Sequence, residues 1–575
     1  MKSLERWIRR LVALPKRLSA EQWWAVALAA VALIVACRFE AFFLRYPTTV
    51  GFDDGYILSV GERLIDEHWL PYVDSYVIRG PLLYWTAALA ELATGRFTWT
   101  AARLVSMWAS FSTLLLLFGV GVAAKKPFAG AVAMLTYVGA VMGIVQWGGA
   151  FSLTGERVAS PWATGALLFT VLALRANGAR ARRLLLLGAG AAAAMAGLAK
   201  QTCLPTVVPL GLWVVCAAMT RAELTRRERF GMPLALALGF IGVIAATLAR
   251  YAFYGEVGRY FYWSYSYASR VYMQPYGEGT AFSLISKFFH EDAAWGVLAL
   301  SLVLATSLAR PLLASGPSLR ALARGYDAVG LEATAALLGF ILFSAALAPL
   351  RFWPHYFVAS FPFLSLVAGL RSHQYLFTRD SRRRVAAQVV GGGLFAAFVV
   401  LFSSGTLEGY LNFRRAGGWG PPRPEPVCAA FDRHARPNER VFVWGFNADL
   451  YITCRRHPST RFTVLTMVAG VIPPFWSDVR DEYVSKHGRE DLIEDLERER
   501  PPVIVDTNAN MDGGGSREGG LRMQDVPKVA PYLTSHYCQA EQTTAKDGRA
   551  IEIWVRGDLP ACRAPNSQPL SKTMR

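Results

Sequence analysis

Histidine and cysteine are scarce in this chain, 8 and 7 of its 575 residues, and no spacing among them matches the ligand pairs of a zinc site. No segment repeats another, so the duplicated pattern of many secondary transporters is missing. Charged residues make up only 18%, against 53% hydrophobic and 13% aromatic. A soluble protein of this length divides into several domains. Here the apolar residues instead fall into successive runs of roughly 17 to 25, each long enough to cross a bilayer.

These runs define a polytopic α-helical membrane protein with about eleven transmembrane helices. They lie near 22–43, 99–123, 127–148, 156–176, 183–199, 203–220, 232–254, 291–314, 331–350, 356–371 and 385–405. Only "AKQT" separates the fifth from the sixth. The stretch 82–97 is apolar but short and reads as a helix lying at the interface. The basic start "KSLERWIRRLVALPKR" resembles a signal peptide, yet the run after it is long and has no convincing small-residue cleavage site. An uncleaved anchor is expected, with residues 1–21 as a cytoplasmic N-terminus.

Acidic residues are outnumbered 42 to 60 by Lys and Arg, giving a formal charge of +18. The excess is not scattered. It sits in the N-terminus and in "AKKP" (124–127), "RANGARARR" (175–183), "TRAELTRRER" (220–229), "ARPLLASGPSLRALAR" (309–324) and "RSHQYLFTRDSRRR" (371–384). With eleven spans all of these share one side, which the positive-inside rule makes cytoplasmic. The charge is a topology signal, and no nucleic-acid partner is expected. The other face receives the first outer loop, 44–98, the turn at 149–156, Lys200, an aromatic loop at 255–290, "RFWPHYF" (351–357) and everything after about 406.

Residues 22–405 form the membrane domain. A Gly/Pro linker follows at 406–426, containing "RRAGGWGPPRPEP", and 427–575 read as an extracytoplasmic α/β domain. In it "RVFVWGF", "PPVIVDTN" and "AIEIWVR" are expected strands, "SKHGREDLIEDLERERP" a helix and "DGGGSREGG" a flexible loop. Cys428, Cys454, Cys538 and Cys562 all lie there, an even number outside the cytosol. Three pairings are open; Cys538 and Cys562 flank a predicted hairpin, which favours that pair. Cys37, Cys203 and Cys216 read as small core residues of the spans.

The chemistry-bearing residues gather on the outer face. "GFDDGYILSVGERLIDEHWLPYVDSYVIRGPLLYW" (51–85) places Asp53 and Asp54 directly after the first span. A helix starting near Gly55 needs one cap, and neighbouring residues cannot both fill it. Asp54 is therefore expected as the cap and Asp53 as the group facing a cavity. Arg79, Lys200, Arg351 and His355 are cations on a side that the charge rule disfavours. Each alone reads as an interfacial group reaching for lipid headgroups; together, beside acids, they suggest a bound anion such as phosphate. Glu156 opens the fourth span on the same surface, either as a second acid for catalysis or a cation, or as the partner of an arginine. The aromatic run 250–276, with Arg259 and Arg270 interleaved, is either an interfacial belt or a surface for sugar and prenyl chain. Asp53, Asp54 and Glu156 could hold a divalent metal, though no spacing demands one.

This pattern resembles the first outer loop of the GT-C glycosyltransferases, in the branch of dolichyl-phosphate-mannose protein mannosyltransferases and the lipid A aminoarabinose transferase. The residues carrying it are Asp53, Asp54, Gly55, Tyr56, Trp69, Pro71, Tyr72, Arg79, Pro81, Leu82, Tyr84 and Trp85. Arg103 in "TAARLVS" is similar to the family's arginine at the second span. "GLAKQTCLPTVVPL" and "HYFVASFPFLSLVAGL" resemble later family segments in the right order, over nearly all of 20–405. Two departures stand out: Asp54 where the family often has Glu, and "AKQT" without the usual Lys-Gly-Pro.

The resemblance implies a GT-C fold and an inverting transfer of a sugar from a polyprenyl-phosphate donor to an acceptor lipid, glycan or protein. The reaction would take place on the extracytoplasmic face of a bacterial cytoplasmic membrane. Asp53 is then the general base, and Arg79, Arg351, His355 and Arg270 are the cations at the leaving phosphate. Tyr56, Arg103, Lys200 and Arg259 join the expected binding residues. A transporter or flippase of lipid-linked saccharide is the competing reading, and a receptor or scaffold acting through its soluble tail is a third.

Overall fold

A computed structural model describes residues 19–45, 52–143, 152–272, 319–347, 354–377, 426–471, 480–507, 521–544 and 550–563. Each expected span within these residues is helical, beginning with Ala20–Arg45, Trp99–Ala123, Pro127–Gly143 and Gly155–Arg175. Ala179–Ala199, Val207–Thr220, Arg226–Phe253, Gly330–Leu347 and Phe361–Leu376 follow. The spans expected at 291–314 and 385–405, the linker up to residue 425 and the loop "DGGGSREGG" lie outside the described residues. Six of the described helices are long and apolar enough to cross a membrane, seven if the bent pair Ala321–Asp327 and Gly330–Ala346 counts as one. The expected count of about eleven therefore exceeds what the described helices alone establish. Pro127–Gly143 and Phe361–Leu376 fall short on length, with 17 and 16 residues.

The short "AKQT" connection does separate two elements. The chain leaves Ala179–Ala199 through Lys200 and makes a 3-10 turn, Gln201–Thr206, before Val207–Thr220. Small residues explain the tight bundle around it. A Cβ on Gly190 would stand 2.0 Å from the carbonyl oxygen of Leu236, so Ala179–Ala199 and Arg226–Phe253 touch backbone to backbone. On the far side of Arg226–Phe253, Phe230, Leu234, Leu238 and Ile241 recur at helical spacing and are exposed, a stripe suited to lipid. A charged pair is buried among the described spans. Arg157 meets Glu40 at 2.6 Å and Ser110 at 2.5 Å, joining three helices.

The first loop is folded. It holds helix Phe52–Asp66, the turn around "WLPYVDSY" and helix Pro81–Thr94, the last being the expected interfacial element. Asp74 closes the turn by accepting the backbone N–H groups of His68 and Leu70. Trp69 and Tyr72 adopt left-handed backbone, φ 61° and 73°, a strain of about 1–3 kcal/mol each that surrounding contacts must offset.

The C-terminal domain has a four-stranded sheet in the order β1-β2-β4-β3: β1 Phe442–Trp444, β2 Val503–Asp506, β3 Tyr537–Thr544 and β4 Ala550–Arg556. β1 and β2 are parallel and the remaining pairs antiparallel. The three sequence-read strands are present, and helix Gly488–Glu499 occupies the expected segment. Cys538 pairs with Cys562 across the hairpin region as favoured, and Cys428 pairs with Cys454.

This domain seals onto the first loop. The Tyr76 N–H donates to the carbonyl of Arg461, and the Arg461 guanidinium donates to the Tyr76 hydroxyl, which donates to Asp491. Buried Arg63 reaches the carbonyl of Pro458. Asp66 pairs with Arg96 and His457 at 2.9 Å each. Gly55 is a point of close approach: a Cβ there would lie 2.5 Å from the Asp449 backbone, where helix Asp449–Thr453 abuts helix Phe52–Asp66.

Candidate active site

Helix Phe52–Asp66 starts three residues before the expected Gly55, so both aspartates occupy its first turn and point in different directions. Asp53 accepts from Arg79 Nη2 at 2.6 Å. Asp54 is not a simple cap of its own helix. Fully buried, it pairs with Arg103 Nη2 at 2.5 Å and accepts the Leu153 N–H at 2.5 Å. That carboxylate thereby joins the first loop, helix Trp99–Ala123 and the approach to helix Gly155–Arg175. The expected division of labour is replaced by a sharper one, in which Asp53 faces Arg79 and Asp54 holds structure together.

Glu156 takes Lys200 as its partner, Nζ to Oε1 at 2.6 Å, and not an arginine. Its neighbour Arg157 turns to Glu40, as the 100° step of a helix requires. Thr154 caps this helix by accepting the Arg157 N–H. Lys200 also stands 4.8 Å from the centroid of the Tyr356 ring, next to His355 in the 3-10 turn Pro354–Phe357. Tyr56 shares a 2.9 Å hydroxyl contact with Tyr84, and the Arg79 guanidinium lies 5.8 Å from the Tyr56 ring.

The electrostatics bind these groups into one cluster. Burial acts to raise the Asp53 pKa, but the charge and hydrogen bond of Arg79, with His355 and Lys200 beside it, together more than offset this and hold the carboxyl below its ordinary range. Asp53 also feels His355 and Lys200, so first loop, Lys200 turn and 3-10 turn converge on it. Burial pushes His355 below its ordinary value despite nearby Glu156 and Asp53. It stands beside Asp53 and Glu156, with burial acting against the cationic form expected of it. Arg79 Nη1 is buried with no hydrogen-bond partner among the described residues. A buried donor of this kind calls for an acceptor.

Other expected residues stand elsewhere. Arg103 is sealed against Asp54. Arg259 pairs with Glu256 one helical turn away, and Arg270 lies over the Tyr267 ring, both on the aromatic segment. Arg351 lies outside the described residues. Among the described residues no three His, Cys, Asp or Glu side chains form a metal-binding group. Asp53, Asp54 and Glu156 each hold a different cation, Arg79, Arg103 and Lys200. That donor set fits ion pairing and not a shared divalent metal.

Sequence reasoning missed Gln201 and gave Tyr72 and Tyr84 no role beyond the motif. Gln201 and Tyr72 act on main-chain carbonyls, a relation no spacing reveals.

No family model and no curated sequence matches this chain. Solved structures do. ArnT from Cupriavidus metallidurans bound to undecaprenyl phosphate superposes with a TM-score of 0.51 at 16% identity, over 93% of this chain and 98% of that one. The archaeal oligosaccharyltransferase AglB from Archaeoglobus fulgidus, in complex with an inhibitory peptide and a dolichol-phosphate, gives 0.46 at 12%, over 94% and 75%. The chain has the GT-C fold, a bundle of membrane helices with a C-terminal domain. It is similar over its length to ArnT.

Proposed function

We propose that this chain is an inverting glycosyltransferase that moves a sugar from a polyprenyl-phosphate donor to an acceptor on the extracytoplasmic face of a bacterial cytoplasmic membrane. The carrying observation is the Asp53–Arg79 pair, set beside Lys200–Glu156 and His355 at the membrane end of the first loop. Asp53 is the base: as the acceptor oxygen bonds to the anomeric carbon, its proton passes to the Asp53 carboxylate. The bond from that carbon to the phosphate oxygen breaks, and the polyprenyl phosphate leaves with the electron pair. Arg79 and Lys200 stabilise the charge that develops there, with the unpartnered Arg79 Nη1 as the first donor to meet it. Arg79 moving its hydrogen bonding toward the phosphate frees Asp53 to take the proton. His355 stands beside them as a further binding residue. The spans give the prenyl chain its apolar setting.

The ArnT structure with undecaprenyl phosphate supports the donor class by fold analogy. The N-terminus is assigned to the cytoplasm and the C-terminal domain to the far side by the basic loops. The test is Asp53→Asn in membranes supplied with a polyprenyl-phosphate sugar. Transfer is expected to be abolished while expression and polyprenyl-phosphate binding persist; undiminished transfer refutes the assignment.

A further inference from the structure

The segment after Lys200 departs from the resembled pattern by carrying Gln201, and this amide has a defined task. Its Nε2 donates to the carbonyl of Ile78 at 3.0 Å and to that of Ser264 at 3.3 Å. Ile78 is the residue before Arg79. The next carbonyl, that of Arg79 itself, accepts the Tyr72 hydroxyl at 2.6 Å. The two peptide planes flanking the Arg79 Cα are thus each fixed by one side-chain hydrogen bond. A third restraint is steric: a Cβ on Gly80 would lie 2.1 Å from the Leu198 carbonyl oxygen, so the Arg79–Gly80 backbone rests on the chain leading into Lys200.

Tyr72 is itself over-determined. It is fully buried with left-handed backbone, its N–H donates to Ser75, and its ring packs 5.5 Å from Tyr260 and 6.0 Å from Tyr251. Ser264 lies in the π-helical turn Tyr262–Tyr267, where the regular ladder is interrupted and its carbonyl meets Gln201. Arg79, the Lys200 turn and the aromatic segment are connected through one amide.

Resting on the function proposed above, we infer that Gln201 is a positioning residue for the donor phosphate. It fixes the peptide before Arg79, as Tyr72 fixes the one after, and so aims the guanidinium. It does not touch the reacting atoms.

The test titrates undecaprenyl phosphate into purified full-length protein in nanodiscs, comparing wild type, Gln201→Met, Arg79→Ala and the double variant, each with its thermal midpoint. Gln201→Met keeps length and removes the donor. It is expected to weaken binding about fivefold to tenfold, the net worth of a neutral hydrogen bond. In the Arg79→Ala background it is expected to change nothing further, because its effect passes through Arg79. Equal affinity of Gln201→Met and wild type, or full additivity with Arg79→Ala, overturns the inference. If Gln201→Met does not fold, Gln201→Asn, too short to reach both carbonyls, takes its place under the same criteria. A wild-type protein that binds no undecaprenyl phosphate sinks the donor reading itself, whereas loss of the coupling alone sinks only the role of Gln201.

Discussion

With Arg79 removed, Asp53 keeps its burial and loses its nearest counter-charge. The pairing helps hold its folded pKa below the ordinary carboxylate range, so Asp53 is ionised throughout neutral pH. In Arg79→Ala the upward push of burial is left unopposed by that cation. The acid limb of the kcat/KM profile, which reports the free enzyme, is therefore expected to move to higher pH, beyond any loss in rate. A limb that stays in place would mean that the base titrates elsewhere. The neighbouring acid behaves differently. Asp54→Asn removes the negative charge paired with the buried Arg103 guanidinium, and breaking such a buried pair costs about 3–5 kcal/mol. Its expected signature is a lowered thermal midpoint or poor yield. Two adjacent aspartates with different jobs could be suspected from "DDG", because one cap cannot occupy both. Which one held structure was not legible, since Arg103 and Leu153 arrive from distant parts of the chain.

Among the elements, helices Phe52–Asp66 and Pro81–Thr94 meet through an uncommon contact. Glu91 is fully buried beside Glu62, whose carboxylate is taken by Arg96 at 2.5 Å. Burial first, and the Glu62 charge second, hold Glu91 protonated well above its ordinary range. The unfolded chain releases that proton near the ordinary Glu value while the folded chain keeps it. This term therefore lowers stability as pH rises. Glu91→Gln is expected to flatten that slope and leave the fold intact, as read by thermal midpoints between pH 5 and about pH 8. The existence of these helices was legible, since their apolar runs and the Gly80-Pro81 start are local signals. The edge strand β3 was only implied by a hairpin. Its sequence, "YCQAEQTT", is mostly polar and has none of the Val and Ile that mark the other strands.

At the level of the whole molecule, the C-terminal domain is a clasp on the first loop, not a separate appendage. Asp66 is central to it. Burial alone would raise its pKa, but hydrogen bonds from His457 and Arg96 hold it well below the ordinary range. Its contribution is fully present above the ordinary Asp value and is lost as pH falls toward the folded one. Asp66→Asn is expected to loosen the clasp at neutral pH, seen as faster proteolytic release of the domain, and to reduce the difference between neutral and acidic samples. The two domains were legible from composition. Their junction was not, because Arg63 and Pro458 stand 395 positions apart and neither carries a local signal of the other.

That separation sets a timetable for biosynthesis. The loop bearing Asp53 emerges among the earliest parts of the polypeptide, yet the Pro458 and Arg461 carbonyls that complete its hydrogen bonding are made only after helix Phe361–Leu376, the last described helix of the bundle. A nascent chain therefore passes through a stage with its bundle inserted and its loop unfinished. Release of the terminal segment, not insertion of the spans, is the moment at which the first loop gains its full set of hydrogen bonds.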